Sequence, residues 1–172
     1  MKLPILLAAA LLPFAVPAGA QLQMPPPAPT TAAMPFLMLA SEADIFEITS
    51  SQIALMRSQN PRVREYGTML IRHHTMTTNL ALAQAKAAGI APPPAILQQD
   101  KRDMITQLLE APAADFDRVY LSQQVPAHEQ ALALHSTYAR SGDTPQLRNV
   151  ASSAVPIVQQ HLTEARRMLA AS

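Results

Sequence analysis

Cysteine and tryptophan are missing altogether from the 172 residues, glycine occurs four times, and aromatic residues make up only 4% of the chain. Without cysteine there can be no disulfide framework, thiolate metal site or thiol nucleophile. Scarce glycine, with no β-branched alternation, removes the turn chemistry and the period-two pattern that sheets require. So few aromatics leave no stacking platform for single-stranded nucleic acid. Charge of either sign is also short: thirteen Lys and Arg stand against twelve Asp and Glu, with no basic run. Nucleic acid and anionic lipid therefore lose their electrostatic footing as partners. There is no Gly-x-Ser-x-Gly elbow, phosphate-binding loop or His-Glu-x-x-His, so no catalytic residue can be nominated.

What is present begins with a leader. Residues 1–20, MKLPILLAAALLPFAVPAGA, place Lys2 before an apolar run and end on Ala18-Gly19-Ala20. Those are the three parts of a secretory signal, with cleavage expected near Ala20. Pro4, Pro13 and Pro17 interrupt a run already short for a membrane span. No later segment is long and apolar enough to be an integral membrane helix. A periplasmic or secreted location follows as the expectation, and the missing cysteine excludes a lipid-modified N-terminus. Without Lys2 the basic residues number twelve and balance the twelve acidic ones.

Residues 21–35, QLQMPPPAPTTAAMP, are proline-rich, uncharged and without periodicity, the composition of a flexible or polyproline-like tether. Met24, Met34 and Met38 raise the idea of a soft-metal site, but spacing this loose carries no ligand geometry. From Phe36 the spacing predicts helices near 37–58, 61–88, 113–141 and 145–170, with a shorter one near 95–110. Asn60-Pro61 reads as a cap followed by a first-turn proline. Pro94, Pro112 and Thr144-Pro145 repeat the device, while Gly89 and Gly142 mark left-handed stops. Apolar stripes are expected through Ile45, Ile48, Gln52 and Leu55, and through Leu147, Val150, Ala154, Ile157, His161, Ala165 and Met168. Phe116 and Tyr120, one turn apart, should anchor the third long helix. Short turns make the long helices antiparallel neighbours, and the 89–112 link crosses between two hairpins. The expected fold is all-α: a ferritin-like antiparallel four-helix bundle over 36–171, with a short extra helix in the crossover.

Five histidines occur: His73, His74, His128, His135 and His161. Measured along the helices from the turns, at about 1.5 Å per residue, Glu47, His74, His128 and His161 come from four different helices at similar mid-bundle height. Three imidazoles and a carboxylate suit zinc, copper or iron, and bundle cores are where such ligands assemble. The same rings can instead hydrogen-bond to one another, to Tyr120 or to backbone carbonyls and be plain buried polar groups. Pro126 and Pro156 free the carbonyls of Ser122 and Ser152 as candidate acceptors for the rings. Since adjacent helical residues point 100° apart, His74 is expected inward and His73 toward the flank.

Glu47, MLIRHHTMTTNL (69–80), ADFDRVYLSQQVPAHEQALAL (114–134) and AVPIVQQHLTEARRML (154–169) together resemble the domain of unknown function 4142 family of exported bacterial proteins. The spacing from Asp115-Phe116-Asp117 through Tyr120 to His128 is the most specific part. By that likeness His74 is the family histidine, and His73 stands where an acidic residue is usual. The resemblance implies a ferritin-like bundle and no established activity, since a fold alone confers none. The expectation is an exported, non-enzymatic binding or envelope and stress-related module. The alternatives are a metal-binding or metal-dependent redox protein using Glu47, His74, His128 and His161, and a pH-responsive core. A homo-oligomer is left open.

Overall fold

The computed structural model describes residues 30–172; the leader and most of the tether lie outside them. Five helices make up the described chain: α1 (Ala33–Arg57), α2 (Pro61–Ala87), α3 (Gln99–Glu110), α4 (Phe116–Ser141) and α5 (Pro145–Leu169). No strand occurs among the described residues. No helix there is long and apolar enough to cross a membrane.

Helices α1 and α2 form one hairpin and α4 and α5 the other; α1 also packs on α4, and α2 on α5. Ser51 meets Tyr120 near one end of the α1–α4 seam, and Phe36 stacks on Tyr138 near the other. Those two helices are therefore antiparallel, and the order is up, down, down, up. This order makes the α2–α4 link travel the bundle's length, and α3 fills it, packed on α1 and α4. Arg57 fastens its end, donating to the carbonyls of Leu108, Leu109 and Ala111 at 2.6–2.7 Å. Gln123 donates to the Met104 carbonyl at 2.9 Å. The all-helical bundle with a crossover helix is as expected.

Several local details differ from the sequence reading. α1 begins at Ala33 rather than 37, because its first amide finds a cap across the fold. Asp143 in the α4–α5 turn accepts from the Ala33 amide at 3.2 Å, and donates its own amide to the Thr31 carbonyl at 2.8 Å. Pro94 starts no helix; α3 waits until Gln99, and α4 until Phe116. Gly89 takes the expected left-handed turn, φ 73°. Gly142 does not: its φ is −61°. It is needed for another reason, since a Cβ there would sit 2.5 Å from the Tyr138 ring.

The stripe expected on α1 is misplaced. Gln52 is exposed and Ile45, Ile48 and Leu55 are only half-buried, while Phe46, Glu47, Ser50, Ser51, Ile53 and Ala54 face the core. Three of those six are polar, so hydropathy spacing selected the neighbouring face. On α5 the expected stripe holds, except that Val158 takes the buried place given to Ile157. Phe116 and Tyr120 are buried as expected and stack with ring centroids 6.5 Å apart.

The core has two apolar ends. One gathers Ile53, Tyr66, Leu70, Leu108, Phe116 and Leu121; the other gathers Phe36, Leu37, Leu134, Tyr138 and Leu147. Between them lies a polar layer.

Candidate metal centre

The polar layer is built from one segment of each long helix. α1 supplies Asp44, Glu47, Ser50 and Ser51; α2 supplies His73 and His74; α4 supplies Gln124, His128 and His135; α5 supplies His161. His128 and His161 are fully enclosed, and His74 is 5% exposed. Their rings form a nearly equilateral triangle, with centroids 5.7 Å apart for His74–His128, 5.4 Å for His74–His161 and 5.3 Å for His128–His161. One ring nitrogen from each lies within 4.8 Å of those of the other two.

Each ring is held by its other nitrogen. His74 Nδ1 donates to Asp44 Oδ1 at 2.7 Å, and Asp44 is itself fixed by the Thr78 hydroxyl at 2.5 Å. His128 Nδ1 donates to the Gln124 carbonyl at 2.9 Å. A carboxylate and a carbonyl only accept, so both rings carry their proton on Nδ1 and leave a lone pair on Nε2. His161 Nε2 pairs with His73 Nδ1 at 2.8 Å, and the two rings stack 5.1 Å apart. Tyr66 donates to the His161 backbone carbonyl at 3.2 Å, tying α2 to α5. Within the triad, three buried ring nitrogens have no protein partner: His74 Nε2, His128 Nε2 and His161 Nδ1.

Orphaned buried polar atoms are rare and costly, about 1–3 kcal/mol each. Three of them on three converging rings match what a metal ligand set needs: neutral imidazoles, each oriented by a hydrogen bond to its second nitrogen. The electrostatics hold two of the three rings neutral and favour a proton on the third, His74, which a metal would displace. Burial pushes His128 down to about 3, the charge of His74 adding to the shift and the Gln124 carbonyl opposing it. Burial, then the neighbouring His128, His74 and His73, push His161 down to about 2. For His74, burial works against the charged form, but the hydrogen bond and charge of Asp44, with Glu47, outweigh it and raise the pKa.

Of the four residues nominated from sequence, His74, His128 and His161 come together. Glu47 is buried beside them but outside the nitrogen triangle, its Oε1 3.5 Å from His128 Nδ1 and its Oε2 without a partner. Burial pushes its carboxyl up to about 7 against the pull of His74 and Lys101. His74 is inward and His73 on the flank, the arrangement expected for two neighbours that cannot face the axis equally. The proline-freed carbonyls of Ser122 and Ser152 are not what holds the rings; Gln124 and His73 do so. Asp44 went unnoticed in the sequence, although its place three residues before Glu47 put it on a neighbouring line of the same helix. Met34 and Met38 are exposed, and Met24 lies outside the described residues.

An all-α bundle with a buried imidazole triad at mid-height is thus the class this chain defines. The chain belongs to the family described as domain of unknown function DUF4142, whose model matches residues 18–168. No curated protein matches it. Among solved structures it is similar to CopM in the Cu(II)-bound form (16% identity, covering 80% of this chain and 95% of that one, TM-score 0.70). It is similar also to CopM in the Ag-bound form (16%, 81% and 96%, TM-score 0.68). A DUF305 fragment from Deinococcus radiodurans aligns at 16% identity over 85% of this chain and 100% of that one, TM-score 0.73. At such identity these likenesses establish the fold alone.

Proposed function

We propose that this protein is an exported metal-binding bundle whose centre is His74, His128 and His161, with copper the metal it takes. The observation carrying this reading is three converging buried imidazoles that each keep one ring nitrogen unpartnered and can offer one nitrogen apiece within 4.8 Å of the others. Imidazole suits zinc, copper and iron, and the divalent series places Cu(II) above the others for a given nitrogen site. A protein of the same fold in Cu(II)-bound and Ag-bound forms favours copper for this chain. Asp44, the Gln124 carbonyl and His73 orient the three ligands from outside. Bound copper would supply Lewis-acid and one-electron chemistry. The chain's own part is to bind, orient and wall off the ion. The role read from the layer is the binding and handling of metal. Export to the periplasm or medium rests on the signal-like residues 1–20.

The test is metal content after reconstitution of untagged protein with copper, zinc and iron in turn. About one copper per chain is expected, reduced at least tenfold in His128→Ala and His161→Ala. Failure to retain any of the three metals would leave only the reading of a plain polar core.

A further inference from the structure

Beside the triad lies a cavity of about 10 Å³, lined by Asp44, His73, His74, Thr77, His135 and His161 together with alanine, isoleucine and valine side chains; the Thr77 hydroxyl already donates to the backbone carbonyls of His73 and His74. A volume of this order holds about one water. His128 does not line it, so the cavity opens on the His74–His161 side of the triangle. His135 forms part of its wall from two helical turns along α4, seven residues after His128. Its ring packs edge-on against Phe36 at 5.5 Å, and its Nδ1 is buried without a partner. Neither the sequence nor the triad accounts for this fourth orphaned imidazole. Burial pushes its pKa down to about 4, so the ring is neutral at neutral pH.

We propose that this cavity is the open coordination position of the triad's metal, filled by one water-sized oxygen ligand that His135 Nδ1 holds from the outer side. Three imidazoles leave at least one position of a four-coordinate ion unprovided for by protein, whether zinc's tetrahedron or the tetragonal arrangement of Cu(II). Structural sites close that position with a further side chain, whereas reactive or exchanging sites keep it for solvent. Asp44, the carboxylate on the cavity wall, has its two oxygens taken by His74 and Thr78, and Glu47 lies at His128 Nδ1 and not in the cavity. A pocket for one small ligand, with a polar partner on its far wall, matches the open case. His135 would then be a positioning residue that touches the ligand and not the metal.

This inference rests on the metal-binding reading, and the experiment separates the two. Pulsed EPR of the Cu(II)-loaded protein, exchanged from H₂O into D₂O, reports imidazole nitrogens and exchangeable deuterons independently. Wild-type protein should show both the nitrogen modulation and deuterons of one directly bound water. His135→Leu should reduce the deuteron signal several-fold, and Ala154→Val, which fills the cavity from α5, should abolish it. In both variants the nitrogen modulation and the copper stoichiometry should stay within twofold of wild type. Nitrogen modulation without bound-water deuterons in the wild type would overturn the open position. So would a deuteron signal that survives in both variants. Absence of copper and of nitrogen modulation in the wild type would instead remove the metal-binding reading, and this inference with it.

Discussion

At the scale of single residues, the account turns on how each imidazole is held. His74 has the strongest support, since Asp44 accepts from Nδ1 at 2.7 Å and is itself tied to Thr78. A carboxylate there fixes the tautomer and makes the opposite nitrogen a better donor to metal. Asp44→Ala should therefore weaken copper binding by about 10–100-fold while leaving the helical content unchanged, as read by competition titration and circular dichroism. Unchanged affinity would mean that His74 is not a ligand. The histidines themselves were legible in the sequence because height and helical angle follow from counting residues. Their partners were not. Asp44 is one polar residue among several on α1, and the His73–His161 pair joins positions 88 apart. His73 occupies the place where an acidic residue was expected, yet it still does an orienting task, through His161 instead of its own neighbour.

At the scale of helices, most starts and stops could be read because proline and glycine act locally. Asn60 caps α2 by accepting from the Arg62 amide at 3.0 Å, and Gly89 closes it. The failures share one cause, which is a distant group doing a local residue's job. Asp143 caps α1 from another turn, and buried Ser50 and Ser51 draw α1 onto a face that hydropathy does not mark. Ser51 shares a hydrogen bond with Tyr120 at 2.8 Å, and Gln124 donates to Ser50 at 3.1 Å. Gly142 illustrates the same point in the α4–α5 turn. Gly142→Ala forces a Cβ into the Tyr138 ring and should destabilise by about 1–3 kcal/mol through overpacking. Gly89→Ala should cost about 1–2 kcal/mol by a different route, its left-handed backbone. Thermal or urea unfolding measures both. A neutral Gly142→Ala would show that Tyr138 swings away freely.

At the scale of the whole molecule, a polar layer between two apolar ends makes stability depend on pH. Burial holds His128, His161 and His135 well below the ordinary value of 6.5, to about 3, 2 and 4. Each binds fewer protons folded than unfolded, so each contributes stability above pH 6.5 that is lost as pH falls. Glu47, raised to about 7, has the opposite sign: its contribution is present below its unfolded value of 4.5 and lost as pH rises through 7. His74, also raised, contributes below 6.5 and loses that contribution above its folded value. Between pH 6.5 and 4.5 three rings oppose one carboxyl, so the metal-free protein should melt at progressively lower temperature on acidification. The copper-loaded protein should fall more steeply, because protons compete for the ligand nitrogens. A melting temperature that is level or rising on acidification would contradict the buried neutral layer. The most direct measurement is X-ray absorption at the copper edge on reconstituted protein. Three imidazole nitrogens at about 2.0 Å, reduced in number by His128→Ala, are the predicted result. A copper environment with fewer than two imidazoles, or one indifferent to His128, would contradict the triad as the metal's home.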